Sequence, residues 1–289
     1  MNRHHPLAHP GPSRAVDASR PAGAEQSPGA GSGSPDAPHQ IVRVRHELRR
    51  RKLTVSSVEA LTPRMRRIRF TSPGLSDFHS PSPDDHIKLF FARPDGATGE
   101  PAMRDFTPRA FNHAEQSLTL DFALHGSGPA TEWAVGAQAG QTLEIGGPRG
   151  SSLVPDDFDW YLFAGDESAL PAIGRWVETL RPGVPVTTVV AVAHEDEQQT
   201  FVTQATWKPV WAVRGEPGPD DGGLLRRALS AFSPPPGDGF IWIAGEASLV
   251  REVRTYFVEE RRHPSDWLKA AAYWHRGEKD EPTSPGPPA

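Results

Sequence analysis

The sequence predicts an antiparallel β-barrel followed by an α/β domain with a parallel sheet. In the first part of the chain, short segments alternate apolar and polar residues, as strands with one buried face do. In the second part, continuous apolar runs alternate with helical stretches, as in a parallel sheet covered by helices. The chain has 289 residues, which is enough for two modest domains.

The predicted barrel domain spans residues 43–156. Its strands are predicted at residues 53–61, 65–70, 87–91, 118–124 and 142–145. Turn-forming Pro, Gly and Ser residues separate these segments. One helix, at residues 130–137, interrupts them. Several short strands with little helix are typical of a small antiparallel barrel.

The predicted α/β domain spans residues 157–278. Its strands are predicted at residues 160–164, 186–192, 210–213 and 240–244, and its helices at residues 169–180, 224–232 and 248–262. A strand made of apolar residues alone is buried on both faces, which is typical of parallel sheets. The alternation of such strands with helices therefore predicts a Rossmann-like arrangement.

Both ends of the chain are predicted to be disordered. Residues 1–42 and 279–289 are rich in Pro, Gly, Ala and Ser and contain few large apolar residues. Such segments cannot bury enough surface to offset the entropy lost on ordering. Histidines scattered through the first segment, His39 among them, are better explained as polar tail residues than as metal ligands.

Composition excludes several classes of function. The formal net charge is −5, so nucleic acid is not expected as the main partner. The chain has no cysteine, which excludes disulfides, cysteine-bound iron–sulfur clusters and a cysteine nucleophile. No apolar run is long enough to span a bilayer and no signal sequence is evident, so we expect a cytoplasmic protein without membrane insertion.

Several segments carry residues suited to binding or catalysis, although each also has an ordinary structural explanation. Residues 104–109 (RDFTPR) bring two guanidinium groups, a hydroxyl and an aromatic ring together within six residues, a combination suited to ligand binding. The alternative explanation is an ordinary exposed strand. Residues 125–134 (HGSGPATEWA) place a glycine-rich turn before a helix, where free amides favour a phosphate. The same turn equally suits a simple strand-to-helix connection.

Two further segments lie in the second domain. Residues 164–173 (AGDESALPAI) follow the first buried strand, at the edge where open α/β sheets bind ligands, and they also suit a capped helix. Residues 270–277 (AAAYWHRG) bring adjacent aromatics close to a His and an Arg, either to cover a flat ring or to form a terminal strand. Lys88 and Arg149 are basic residues near turns, and each alone would be an ordinary surface charge.

Taken together and in this order, these segments resemble the siderophore-interacting protein family, a flavin-dependent ferric-siderophore reductase branch of the ferredoxin-reductase-like superfamily. The resemblance covers about residues 43–277. It is carried by residues 84–91 (DDHIKLFF), 104–108 (RDFTP), 147–151 (GPRGS) and 270–275 (AAAYWH), which are most similar to the NADPH-dependent ferric-chelate reductase subgroup. It implies a six-stranded type of FAD-binding barrel and a Rossmann-like NAD(P)-binding domain.

The resemblance also implies roles for individual residues. The residues that it assigns to the cofactors are Arg104, Asp105, Phe106, Thr107, Asp121, Phe122, His125, Pro129, Ala130, Thr131, Asp166, Ser168, Tyr273 and Trp274. Residues 104–107 would hold the flavin ring, with Thr107 near its redox-active edge, and Tyr273 and Trp274 would close over it. Lys88 and Arg149 would bind the anionic siderophore.

One position departs from the family pattern. The family usually has Tyr where this chain has Phe106. The aromatic ring is kept, but one hydroxyl hydrogen bond is lost, which is expected to weaken FAD retention by about 1 kcal/mol.

The implied function is ferric-siderophore reduction, with electrons passing from NAD(P)H through FAD to Fe(III). Such a reaction requires no catalytic side chain and no protein-bound metal. NADPH is preferred to NADH, with Arg175, Arg181 and Arg214 as candidates for a 2′-phosphate contact. Ferredoxin is an alternative donor, and a monomer is expected. Two other functions stay open: a general flavin or quinone reductase on the same fold, and a siderophore-binding protein without redox activity.

Overall fold

A computed structural model describes residues 39–92, 101–124, 128–215 and 221–276, with residues 221 and 222 described by their backbone alone. The elements of the first part are β1 (Val42–Arg45), β2 (Arg50–Thr62), β3 (Met65–Thr71), β4 (Ile87–Phe91), β5 (Ala102–Phe106), β6 (Ala110–Asn112), β7 (Ser117–Ala123), α1 (Pro129–Gly136), β8 (Thr142–Gly146) and β9 (Gly150–Leu153). The elements of the second part are β10 (Trp160–Gly165), α2 (Leu170–Thr179), β11 (Pro185–Val192), β12 (Thr206–Val213), α3 (Asp221–Ser230), β13 (Gly239–Glu246), α4 (Ala247–Thr255) and β14 (Leu268–Trp274).

The predicted antiparallel barrel is confirmed. Its strands form one sheet in the order β5-β4-β8-β2-β3-β7-β6, and every pairing in it is antiparallel. Six of these strands carry the fold, while β6 adds only three residues at one edge. Strand alternation builds the core: in β4, Ile87, Leu89 and Phe91 are buried, whereas Lys88 and Phe90 point to the opposite face.

The predicted parallel sheet is confirmed as well. Its strands lie in the order β12-β11-β10-β13-β14, and all pairs are parallel. All residues of β10 and β13 are buried. The reason is that α2 packs on one face, through residues such as Trp176, while α3 and α4 pack on the other through Leu225 and Val253. Because β11 and β13 lie on opposite sides of β10, a crevice opens at the carboxyl ends of β10 and β13.

The barrel and the parallel sheet are joined by buried polar contacts. The Arg109 guanidinium donates to both carboxylate oxygens of Glu178 in α2, at 2.8 and 2.7 Å. Asp84, in the loop before β4, accepts from the Trp242 indole at 3.0 Å. Glu197 accepts from the backbone N–H of Arg64 at 2.9 Å. Each bond pairs a group of the barrel part with a group of the α/β part, so the described residues of the two parts pack against each other.

Residues 39–42, which the sequence places in the tail, belong to the folded protein. Val42 begins β1, which pairs with β9. The His39 ring stacks on Phe158 at 4.0 Å and is only 8% exposed. Its Nδ1 lies 2.7 Å from Asp157 and its Nε2 lies 3.3 Å from Asp238. These partners are far away in the sequence, so composition alone could not separate His39 from the tail.

His39 should make stability depend on pH. Burial opposes the charged ring, but hydrogen bonds to Asp157 and Asp238 outweigh it and raise the pKa of His39 above 6.5. A raised folded-state pKa gives stability that is complete below the unfolded pKa and is lost as the pH rises through the folded pKa. Urea unfolding should therefore show His39→Ala costing about 1 kcal/mol more at about pH 5.5 than at about pH 8.5.

His39→Phe is the matched control, because it keeps an aromatic ring on Phe158 and removes the charge together with the two hydrogen bonds to Asp157 and Asp238. It should lose the pH-dependent part of the stability and keep most of the rest. An equal cost of His39→Ala at both pH values would contradict the ion-pair account.

Candidate active site

A cavity of about 640 Å³ lies where the barrel strands β4, β5 and β8 meet the end of β14. Lys88 and Asp105 line its barrel side, and Ala272 and Tyr273 line its other side. The barrel and the parallel sheet therefore both contribute to one pocket. Its lining combines aromatic surface with four basic side chains, Arg49, Arg50, Lys88 and Arg149.

Strand register brings together Lys88 and Arg149, the two residues predicted to bind the siderophore. Lys88 pairs with Gly146 across β4 and β8, so the loop that carries Arg149 follows beside it. On its other side Lys88 faces Asp105 of β5, and its ammonium group lies 2.9 Å from that carboxylate. Arg149 is exposed and forms no ion pair with any residue that the structure describes. The pair thus presents one neutralised and one available positive charge.

Four arginine and histidine residues of this cavity were not predicted as site residues: Arg49, Arg50, His86 and His275. Arg50 lies over the Phe90 ring, with its guanidinium carbon 4.1 Å from the ring centre, and also lies 3.3 Å from Glu144. The run of basic residues at 49–52 was a usable signal. His86 and His275 stood inside the motifs already quoted, but their spacing gave no reason to place them on one surface.

Residues 104–107 lie in β5 and directly after it. Burial lowers the pKa of Arg104, whose guanidinium donates to the Met103 carbonyl at 2.7 Å. Phe106 packs against Phe122 with ring centres 4.5 Å apart, inside an aromatic cluster that Trp133 of α1 covers. Asp105 instead lines the cavity. The strand therefore sends alternate side chains to the barrel core and to the cavity, as its alternation predicts.

Two predicted cofactor residues have partners inside the protein. Both carboxylate oxygens of Asp121 accept from Arg67 at 2.8 Å, and Arg109 lies 3.7 Å away. The Asp121 side chain is 1% exposed. Phe122 is also 1% exposed, with its ring in the barrel core. Neither side chain has a free surface that could contact a bound molecule.

The predicted phosphate-binding turn lies at the start of α1. Pro129, Ala130 and Thr131 form the first turn of this helix, after Gly128. Gly128 stands at the N-cap and has no side chain with which to cap this end. His125 lies outside the described residues. A helix start of this kind fits the pyrophosphate of a flavin nucleotide.

Asp166, Ser168 and Trp274 meet at the crevice between β10 and β13. The Asp166 carboxylate accepts from the Ser168 N–H at 2.9 Å, from the Glu246 N–H at 2.8 Å and from the Trp274 indole at 3.0 Å. Asp166 is 5% exposed. This carboxylate thus ties the carboxyl ends of β10 and β13 to the last strand and fixes the indole of Trp274 there.

Tyr273 lies in the floor of the cavity. Its ring packs edge-on against Trp242, with centres 6.2 Å apart, and its buried hydroxyl makes no hydrogen bond of normal geometry to any described residue. Thr107 is 7% exposed and lies beside this hydroxyl. A buried hydroxyl pair at the base of a two-domain cavity fits a bound ring that completes its hydrogen bonding.

The three candidate arginines for a 2′-phosphate lie in different places. Arg175 donates to the Ser80 carbonyl at 2.7 Å between the two domains, where burial lowers its pKa to about 10. Arg181 bonds to Asp156, before β10, and so lies at the amino edge of the sheet. Arg214 follows β12 and lies 2.8 Å from Glu167, at the carboxyl edge. Ligands bind at the carboxyl edge of such sheets, so only Arg214 is suitably placed.

The fold, an antiparallel barrel followed by a parallel α/β sheet, is shared with solved reductase structures. A ferredoxin NADP⁺ reductase from Neisseria gonorrhoeae, solved with bound FAD and NADP, shares the fold with a TM-score of 0.53 and 15% identity over 78% of this chain and 99% of that one. Among the described residues, no helix is long and apolar enough to cross a membrane.

Two family models together match most of the chain. Residues 54–152 match the family model of the siderophore-interacting FAD-binding domain, and residues 158–277 match that of the siderophore-interacting protein. An NADPH-dependent ferric-chelate reductase from Escherichia coli is 35% identical over 83% of this chain and 98% of its own length. A siderophore utilization protein from T. fusca superposes with a TM-score of 0.78 and 31% identity, covering 84% of this chain and 99% of that one. The chain belongs to the siderophore-interacting protein family.

Proposed function

We propose that this protein is an NADPH-dependent ferric-siderophore reductase that uses FAD. The observation that carries the proposal is the cavity of about 640 Å³, whose basic lining and aromatic floor come from the two domains of a flavoprotein reductase. FAD, when bound, converts the two-electron donation of NADPH into the single electrons that Fe(III) accepts. Hard oxygen ligands hold Fe(II) less tightly than Fe(III), so reduction loosens the chelate.

We assign the FAD site to Arg104, Asp105, Phe106, Thr107 and the first turn of α1 at residues 129–131. Arg104 supplies positive charge, and the dipole of α1 favours a phosphate at the start of the helix. The predicted roles of Asp121 and Phe122 are left out, because both side chains are buried against protein partners. The role of His125 stays a prediction.

We assign NADPH to the crevice at the carboxyl ends of β10 and β13, bordered by Asp166, Ser168 and Trp274. Arg214 is the proposed contact for the 2′-phosphate, with Glu167 holding its guanidinium at 2.8 Å. The domain boundary near residue 157, a cytoplasmic location, a monomeric state and ferredoxin as a second donor stay predictions.

Lys88 and Arg149 bind the ferric chelate in this account, and Arg49 and Arg50 add positive charge at the same surface. Glu47 and Glu144 pair with Arg49 and Arg50, and Asp105 pairs with Lys88, so Arg149 is the basic side chain of the lining without an ion pair to a described residue. A ferric tris-catecholate is a trianion, whereas a ferric tris-hydroxamate built from monoanionic groups is neutral. The lining therefore favours the catecholate class by charge.

Steady-state kinetics with both chelates test this function. The tris-catecholate should have the lower KM, and its kcat/KM should fall by about tenfold between about 0.05 M and about 0.5 M salt, because exposed charges are screened. The hydroxamate should show little salt dependence. NADPH-driven turnover of free flavin or quinone with no turnover of either chelate would instead favour a general reductase.

A further inference from the structure

Arg50 holds a position in the cavity that attraction of an anion does not explain. Its guanidinium lies over the Phe90 ring, with the guanidinium carbon 4.1 Å from the ring centre. Its charge is matched by Glu144, whose carboxylate lies 3.3 Å away, and its side chain is still 60% exposed. The guanidinium face that is turned away from Phe90 is therefore open to the cavity that both residues line.

The register of four barrel strands builds this stack. Asp105, Lys88, Gly146 and Arg50 lie directly across from one another on β5, β4, β8 and β2. Phe90 follows Lys88 by two residues, so it points to the same face of the sheet. Gly146 leaves a gap in the row that the Phe90 ring occupies, since a Cβ at Gly146 would lie 3.2 Å from the Phe90 Cε2. The ring thus rests against the backbone of β8 and supports Arg50.

Leu48 adds apolar surface to the same cavity. It is 61% exposed, although it is a large hydrophobic residue, and it belongs to the cavity lining. Single exposed leucines are common on protein surfaces, but ligand pockets combine apolar and aromatic side chains with a few polar groups. A site that attracts an anion by charge alone gains nothing from apolar surface. The lining formed by Leu48, Phe90 and Arg50 therefore suits a ligand that is both anionic and aromatic.

We propose that Arg50, supported by Phe90, is a specificity-determining residue that stacks on an aryl ring of the ferric chelate. The inference rests on the proposed function and deepens it, because it assigns recognition of the catecholate class to ring stacking in addition to charge. A planar guanidinium stacks on aromatic faces, whereas the ammonium group of lysine has no plane to stack. A chelate without an aryl ring gains nothing from this contact.

Binding of Ga(III) chelates tests the inference without electron transfer. Ga(III) has the charge of Fe(III) but is not reduced by a flavin, and its tris-catecholate and tris-oxalate are both trianions, of which only the first has aryl rings. Calorimetric titration of the FAD-loaded protein should show that Arg50→Lys weakens tris-catecholate binding about fivefold, which is the size of one partly exposed cation–π contact. Tris-oxalate binding should change by less than about twofold, because lysine keeps the positive charge.

A second variant and a control complete the test. Phe90→Leu should also weaken the tris-catecholate selectively, because Arg50 loses the ring that supports it. The double variant with Arg50→Lys should lose little more than either single variant, since the two residues act as one stack. Arg43→Lys is the matched control: Arg43 is exposed on β1 and lies outside the cavity lining, so the same exchange should leave both dissociation constants unchanged.

Equal weakening of both trianions by Arg50→Lys would overturn the inference, and so would unchanged tris-catecholate binding in that variant. Failure of the proposed function gives a different result. A protein whose tris-catecholate binding depends selectively on Arg50, but whose FAD does not reduce the ferric chelate, would keep this inference and refute the reductase assignment. Turnover of the ferric chelate without a selective effect of Arg50→Lys would keep the reductase assignment and refute the inference.

Discussion

Replacing Lys88 and Arg149 together with alanine should lower kcat/KM for a ferric tris-catecholate by about 100-fold, since each lost charge-assisted contact contributes about 1.5 kcal/mol and each 1.4 kcal/mol is tenfold. The loss has a second cause. Lys88 neutralises Asp105 at 2.9 Å, so its removal leaves an uncompensated carboxylate facing an anionic substrate. NADPH oxidation with a small neutral quinone as acceptor should change little, because neither residue is assigned to the dinucleotide.

Arg43→Ala with Arg45→Ala is the matched control. Both residues are exposed on β1, both are outside the cavity lining, and the double change alters the net charge by the same amount. An equal loss in this control would show that overall charge attracts the chelate. Full activity of the Lys88 and Arg149 variant would show that the chelate binds elsewhere.

Arg109→Met should destabilise the protein by about 3 kcal/mol, because breaking a buried ion pair leaves its partner charges uncompensated. Arg109 is 8% exposed and its guanidinium bonds to both oxygens of Glu178. It also separates Glu178 from Asp121, to which its Nε lies at 3.7 Å. The contact joins α2 to the barrel, so its loss weakens the junction of the two domains as well as the local pairing.

Urea unfolding measures this cost, with Arg226→Met as the control. Arg226 pairs with Glu260 on the surface, where the two side chains are 43% and 49% exposed. Exposed ion pairs contribute little to stability, so Arg226→Met should lower the free energy of unfolding by only about 0.5 kcal/mol. Similar costs for the two variants would contradict the view that the Arg109 contact holds the domains together.

Residue patterns predicted most of the fold because its cores are patterned locally. The buried strand β10 (Trp160–Gly165) is apolar throughout, and in β4 (Ile87–Phe91) burial alternates along the strand. The residues of strand β14 (Leu268–Trp274) suit two interpretations in the sequence, a cover for a flat ring and a terminal strand, because adjacent aromatics fit both. It becomes a strand because β13 offers it an unpaired edge.

The site was harder to predict than the fold. Lys88 and Arg149 were identified through the family resemblance, and only the pairing of β4 with β8 explains why they share a surface. Asp121 was assigned to the cofactor, but the register of β3 and β7 sets it directly opposite Arg67, which takes both carboxylate oxygens. That pairing depends on a strand register that side-chain chemistry alone does not reveal.

The most direct test of the central claim is the visible absorbance spectrum of the purified protein, recorded without oxygen. We expect a flavin absorbance band that NADPH bleaches and that a ferric tris-catecholate restores. An indicator specific for Fe(II) should report the released iron at the same time. A protein that stays colourless after FAD is added, or whose reduced flavin is not reoxidised by the ferric chelate, would contradict it.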